Sequence, residues 1–152
     1  MAIQLSKGQR IDLTKDNPSL KKVIVGLGWD TNDFNTTHEY DLDASAFLLN
    51  ATGKCSRDTD FVFYNNLTAP GITHTGDNRT GDGDGDDEQL IINFEEVGHD
   101  IDKIAFVVTI HDAQKRSQNF GQVHNAYVRL VDEDTGQELL RYDLGEDFSV
   151  ET

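Results

Sequence analysis

Apolar residues in this chain recur at every second position. Val23, Val25, Leu27 and Trp29 alternate with Ile24, Gly26 and Gly28, and Ala44, Ala46 and Leu48 alternate with Ser45, Phe47 and Leu49. The same period runs through 61–64, 90–94, 104–110, 126–130 and 140–144. A two-residue period in β-branched and aromatic residues predicts strands with one or both faces buried. No segment carries a helical stripe through three turns. Turn-forming clusters at 50–53, 65–71, 98–103 and 132–136 punctuate the runs, and Asp134-Thr135-Gly136 between two of them reads as a hairpin turn. Residues 1–152 therefore read as a single all-β domain, a two-sheet antiparallel β-sandwich with one or two short helical turns, one of them within 113–122. A small closed barrel would share the alternation. The expected core is Trp29, Phe47, Phe61, Phe63, Ile92, Phe106 and Val108.

Two stretches break the pattern. Residues 30–43 separate two strands and carry Asp30, Asp33, Glu39, Asp41 and Asp43. Residues 76–88 read GDNRTGDGDGDDE, with six acids, four glycines and one arginine. Loops of this length inside a compact domain are usually functional or disordered. Clustered carboxylates either stay solvated and apart or converge on a cation, because two of them at about 5 Å repel by roughly 3 kcal/mol at an effective dielectric of 20. The glycines let side chains and carbonyls turn toward one point, as a hard cation needs, and the short Asp and Asn side chains suit calcium. From the residues alone, both a calcium loop and a solvated acidic loop stand.

Charge narrows the partners. The 152 residues hold 28 acids against 13 Lys and Arg, a net charge of −15. This argues against nucleic acid and against an anionic membrane leaflet. The longest apolar run, 104–110 with Thr109 inside it, is far below the roughly 20 residues that span a bilayer, so no membrane insertion and a cytoplasmic location are expected. Cys55 is the only cysteine, which leaves no intramolecular disulfide.

Familiar chemistries fail on spacing. An EF-hand register from Asp82 puts Asp87 where the turn glycine belongs and Asn93 where the closing Glu belongs. A phosphate-cradling loop would meet repelling aspartates and lacks Gly-Lys-Ser/Thr. Magnesium suits so many candidate ligands less well than calcium. His38, His74, His99, His111 and His124 show no zinc spacing. His111 and Asp112 are neighbours on a strand end and should face opposite ways, although Asp112 could still reach a metal at the loop end. No serine or cysteine nucleophile has a supporting context.

Several segments together carry a resemblance: GLGWD at 26–30, DLDASAFLL at 41–49, DFVFYNN at 60–66, HTGDNRTGDGDGDDE at 74–88 and KIAFVVTIHDA at 103–113. With LSKGQRIDLTK at 5–15, FGQV at 120–123 and RYDL at 141–144, the chain resembles the TerD family of tellurium-resistance and stress proteins over essentially its whole length. The resemblance implies a calcium-binding β-sandwich without known catalysis, with protein partners among stress-response or membrane-associated proteins. Carried over by position, the calcium ligands are Asp30, Asp41, Asp43, Asp77, Asn78, Asp84, Asp86, Asp87 and Glu88. Such a set exceeds the 6–8 oxygens of one calcium, so two ions are expected. An extended 84–88 would put Asp84, Asp86 and Glu88 on one side and Asp87 on the other. Asp33, Glu39 and Asp82 are expected to be solvated. Family members usually continue past the position of Thr152 with a helical segment and further strands, which leaves one sheet edge here expected to be open. The alternative function is a divalent-metal-dependent hydrolase using the acidic cluster.

Overall fold

The computed structural model describes residues 2–31, 38–83 and 85–145. Along these residues run β1 (Ile3–Gln4), α1 (Leu13–Asp16), β2 (Lys22–Gly28), β3 (Leu42–Leu49), β4 (Phe61–Val62), β5 (Thr68–Ala69), β6 (Ile72–His74), β7 (Glu88–Asn93), β8 (Lys103–Ile110), α2 (Ala113–Arg116), β9 (Tyr127–Asp132) and β10 (Glu138–Asp143). Two 3-10 turns, Asp58–Asp60 and Phe120–Gln122, complete the list. The strands form two sheets, β1-β10-β9-β2-β7-β6-β5 and β4-β3-β8. This is the predicted sandwich, and the helical pieces stay short. Every alternating run became a strand. β9 and β10 pair as a hairpin closed at Gly136, whose φ of 72° suits a residue without a side chain. One pair departs from the antiparallel expectation, since β1 lies parallel to β10 at the sheet edge.

Alternation decides which side chains meet between the sheets. Val23, Val25 and Leu27 of β2, Leu90 and Ile92 of β7 and Ile72 of β6 face Leu42, Ala44, Ala46 and Leu48 of β3 and Val62 of β4, all at most 5% exposed. Each large aliphatic removed from water is worth about 1.5–3 kcal/mol, as an upper bound. Trp29 and Ile92 are core residues as expected. Phe47, Phe61 and Phe63 are not: they occupy the outer row of the small sheet, half-buried. There they stack on one another, with centroids 4.3 Å apart for both pairs. The period identified the strands, but each of these runs is apolar in both phases, so it could not say which phase points inward.

Phe106 is 38% exposed and Val108 half-buried, although both share the inward-facing row of β8 with Ile110. The cause is unequal sheet width. The small sheet stops at β8, whereas the large one continues through β9 and β10 to β1. Two open cavities, about 490 and 470 Å³, flank Phe106; the second lies between β8 and the inner face of β9 and β10, lined by Val128, Leu140 and Tyr142. Among the described residues β8 is also the one long sheet edge, because the strands at the other edges, β1, β4 and β5, are two residues each. No helix among these residues is long and apolar enough to cross a membrane.

Candidate metal centre

The two acidic stretches meet at one end of the small sheet. β3 carries Asp41 just before it and Asp43 within it, on the row opposite to Leu42 and Ala44. The second stretch brings Asp77 over them. One oxygen from each of Asp41, Asp43 and Asp77 lies within 4.8 Å of the other two. At that distance a pair of charges repels by roughly 3 kcal/mol at an effective dielectric of 20. Asp41 is 4% exposed and its Oδ1 is buried with no hydrogen-bond partner. The exposed Arg79 is one counter-charge, with Nε 3.8 Å from Oδ2. His111 Nδ1 lies 3.8 Å from Asp43 Oδ2.

Titration reflects this crowding. Burial, followed by the charges of Asp41, Glu88 and Asp77, pushes Asp43 up to about 7. Burial, then Asp77, also raises Asp41. The group disfavours its own full ionisation, which a divalent cation would relieve. Donor chemistry agrees: carboxylate oxygens, glycine-rich backbone and no thiolate suit a hard cation.

Trp29 organises both loops. Its buried indole donates from Nε1 to the Tyr40 carbonyl at 2.9 Å, fixing the return of the first stretch. The second stretch crosses the same ring at Gly81, where φ is +79° and a Cβ would stand 2.5 Å from Nε1. Asn78 builds the turn between, its Oδ1 accepting from the Thr80 and Gly81 N–H groups at 3.1 and 3.0 Å.

The remaining predicted ligands take other places. Asp30 accepts from Asn125 Nδ2 at 2.7 Å. Asp87 accepts from the Trp29 N–H at 2.9 Å and Asn78 Nδ2 at 3.3 Å, and burial raises its pKa with Asp30 among the contributing charges. Glu88 is 1% exposed between the sheets. Asp86 faces away, on the outer side of the large sheet, where Arg129, Tyr127 and Gln89 donate to it. Burial alone would raise its pKa, but those donors outweigh burial and lower it. Asp86 and Glu88 therefore do not share a side, contrary to the extended-segment expectation: regular strand begins only at Glu88, so the alternation did not reach back to 86. Asp84 and Asp33 lie outside the described residues. Of the acids expected to be solvated, Glu39 and Asp82 are exposed.

Sequence reasoning missed His74, Arg129 and the pairing role of His111. His111 Nε2 does approach Asp112, at 3.7 Å, because Asp112 leaves the strand with φ 51° and breaks the alternation that should have separated them. His74 shares the inward phase of Ile72 in β6, but three residues with one apolar member are too few for the sequence to show it.

An all-β sandwich with an aspartate cluster folded over the end of its smaller sheet is the class these features define. The TerD domain family model matches residues 1–152, and the chain belongs to that family. It is 60% identical to general stress protein 16U of Bacillus subtilis and 59% identical to the tellurium resistance protein TerD of Alcaligenes sp. Each alignment takes in all of this chain and 80% of the relative. Among solved structures, a homologue of telluride resistance protein from Streptomyces coelicolor A3(2) superposes with a TM-score of 0.67 at 25% identity. That match covers 80% of this chain and 70% of that one.

Proposed function

We propose that this protein is a non-enzymatic, calcium-binding module of a stress response associated with tellurite resistance, one that binds partner proteins according to its calcium load. The observation that carries the reading is the orphaned Asp41 Oδ1, buried inside a group of three converging carboxylates. A buried carboxylate oxygen without a partner is costly, and coordination to a metal is one of the few ways to satisfy it. Asp41, Asp43 and Asp77 would hold the ion, with backbone carbonyls and water completing its oxygen shell. A second ion would draw on Asp30 and Asp87, where the charge of Asp30 raises Asp87. The family name and the names of the relatives support the stress-response and tellurite association.

The chain's own residues supply the coupling. Once the mutual repulsion of Asp41, Asp43 and Asp77 is neutralised, the 76–88 loop can stay seated on β3, presenting one surface. Without the ion the same charges push the loop away. Isothermal titration with calcium and with magnesium tests the ion. A pull-down from cell extract with and without calcium tests the coupling. Absence of calcium binding at millimolar concentration would falsify the reading. Metal-dependent phosphoester or glycoside turnover lost in Asp43→Asn would replace it with the hydrolase alternative.

A further inference from the structure

We propose that Glu88, backed by His74, is a buried clamp that positions the aspartate cluster and is not itself a ligand of the metal. The inference rests on the calcium reading above, and it moves Glu88 out of the ligand set that the family resemblance implies.

Glu88 stands in the inner row of β7 with Leu90 and Ile92, and it is 1% exposed. Its carboxylate crosses to the other sheet. β4 pairs with β3 only at Ala46 and Phe47. Beyond that pairing the Ala44 N–H is left for Glu88, donating to Oε2 at 2.8 Å. The Asn78 N–H donates to Oε1 at 3.2 Å. These two N–H groups belong to the residues that directly follow Asp43 and Asp77. One side chain thus holds both ligand-bearing segments at a fixed separation. An aspartate at this position would fall short by one carbon–carbon bond, about 1.5 Å.

His74 completes the arrangement from β6. Its Nδ1 accepts from the Gly76 N–H at 3.0 Å, so the ring proton sits on Nε2. Nε2 lies 3.4 Å from Glu88 Oε2, without the alignment of a hydrogen bond and with no other partner. His74 is 3% exposed. The imidazole therefore braces the first residues of the acidic loop and the back of the Glu88 carboxylate together. Glu88 contributes no oxygen to the group within 4.8 Å that Asp41, Asp43 and Asp77 form. Each of its oxygens already accepts from one backbone donor.

Terbium bound in place of calcium distinguishes a clamp from a ligand, since its luminescence lifetimes in H₂O and D₂O count the waters on the ion. Asp43→Asn, a ligand variant, should add about one water. Glu88→Gln should weaken terbium and calcium binding about 10- to 100-fold, the usual effect of losing an outer-shell partner, at the wild-type water count. It should also lower the melting temperature measured in a chelator. A gained water in Glu88→Gln, or unchanged affinity and chelator melting, overturns the clamp. If Glu88→Gln does not fold, His74→Phe carries the test: weaker terbium binding at an unchanged water count, with affinity recovered toward wild type in His74→Gln, whose amide oxygen can still accept from the Gly76 N–H. Wild-type affinity in His74→Phe overturns the proposal. Failure of the unsubstituted protein to bind either ion defeats the calcium reading and this inference with it, whereas binding with Glu88 as a ligand defeats the clamp alone.

Discussion

Arg129→Met isolates the anchor that keeps Asp86 out of the cluster. The Asp86 side chain is 1% exposed on the outer side of the large sheet, in space left by Gly26, where a Cβ would stand 2.3 Å from Oδ2. Arg129 grips it through Nε at 2.8 Å and Nη2 at 3.0 Å, while Tyr127 Oη and Gln89 Nε2 each donate at 2.9 Å. Burial, then the bond to Asp86, pushes the Tyr127 hydroxyl up to about 12, so it remains a donor across the ordinary pH range. Removing one partner of a buried pair costs about 3–5 kcal/mol. Two donors survive here and Arg129 is itself 30% exposed, which places the loss near the lower end, about 3 kcal/mol. For a chain of this size that is a fall of about 6–12 °C in melting temperature. The assay is a melt in a chelator for Arg129→Met, Asp86→Asn and the double variant, with the double recovering to within about 1 kcal/mol of wild type. A fall below about 2 °C for both single variants would refute the reasoning and return Asp86 to the candidate ligands. Calcium stoichiometry unchanged in Asp86→Asn is the matching expectation.

Other outcomes follow from the same geometry. Calcium at a hundred times its dissociation constant should stabilise the fold by about 2.7 kcal/mol, visible as a rise of several degrees in calorimetry and reversed by chelation. In a chelator, stability should rise as the pH is lowered from 8 toward 5. Asp43, raised to about 7, keeps its proton in the folded state where the unfolded chain has released it, so its contribution is largest at low pH and lost as the pH climbs through 7. A chelator-melt series showing the opposite slope between pH 5 and 7 would contradict this. Asp43→Asn should stabilise the fold in a chelator by about 1–2 kcal/mol while weakening calcium binding, because it removes roughly that share of the like-charge repulsion. Gly81→Ala should disorder the loop over Trp29, since φ of +79° and the indole 2.5 Å away both exclude a methyl; near-ultraviolet circular dichroism of the lone tryptophan reports it.

What was legible in the sequence was whatever depends on period. The strands from β2 to β4 and β7 to β10 were readable because alternation is imposed residue by residue. β1, β5 and β6 were not: unlike two-residue β4, which sits in the longer apolar run 61–64, they have no apolar run around them to show a period. Composition drew attention to both acidic stretches, but not to the sorting within 76–88. There Asp86 goes to Arg129 and Glu88 goes between the sheets. That sorting depends on partners 41 to 44 residues away in the chain. The aromatic ladder Phe47-Phe61-Phe63 escaped because its members are hydrophobic enough for a core, while the alternate row with Ala46, Leu48 and Val62 is the one that faces the large sheet.

Among the described residues the outer edge of β8 is unpaired, and it gives the molecule's charge a second meaning. From Ile104 to Ile110 that strand offers no charged residue, no proline and no irregularity to discourage another strand from pairing with it. Protection falls instead to the long-range field of a chain with net charge −15, which holds copies at a distance before their edges can meet. Such a guard is conditional. It weakens as salt shortens the screening length and disappears toward the sequence pI near 4.4. Each divalent cation taken up by the aspartates would subtract two units from it as well. On the calcium reading, colloidal behaviour and metal load would be tied together: an ion that ordered one end of the sandwich would also thin the electrostatic cover over its side.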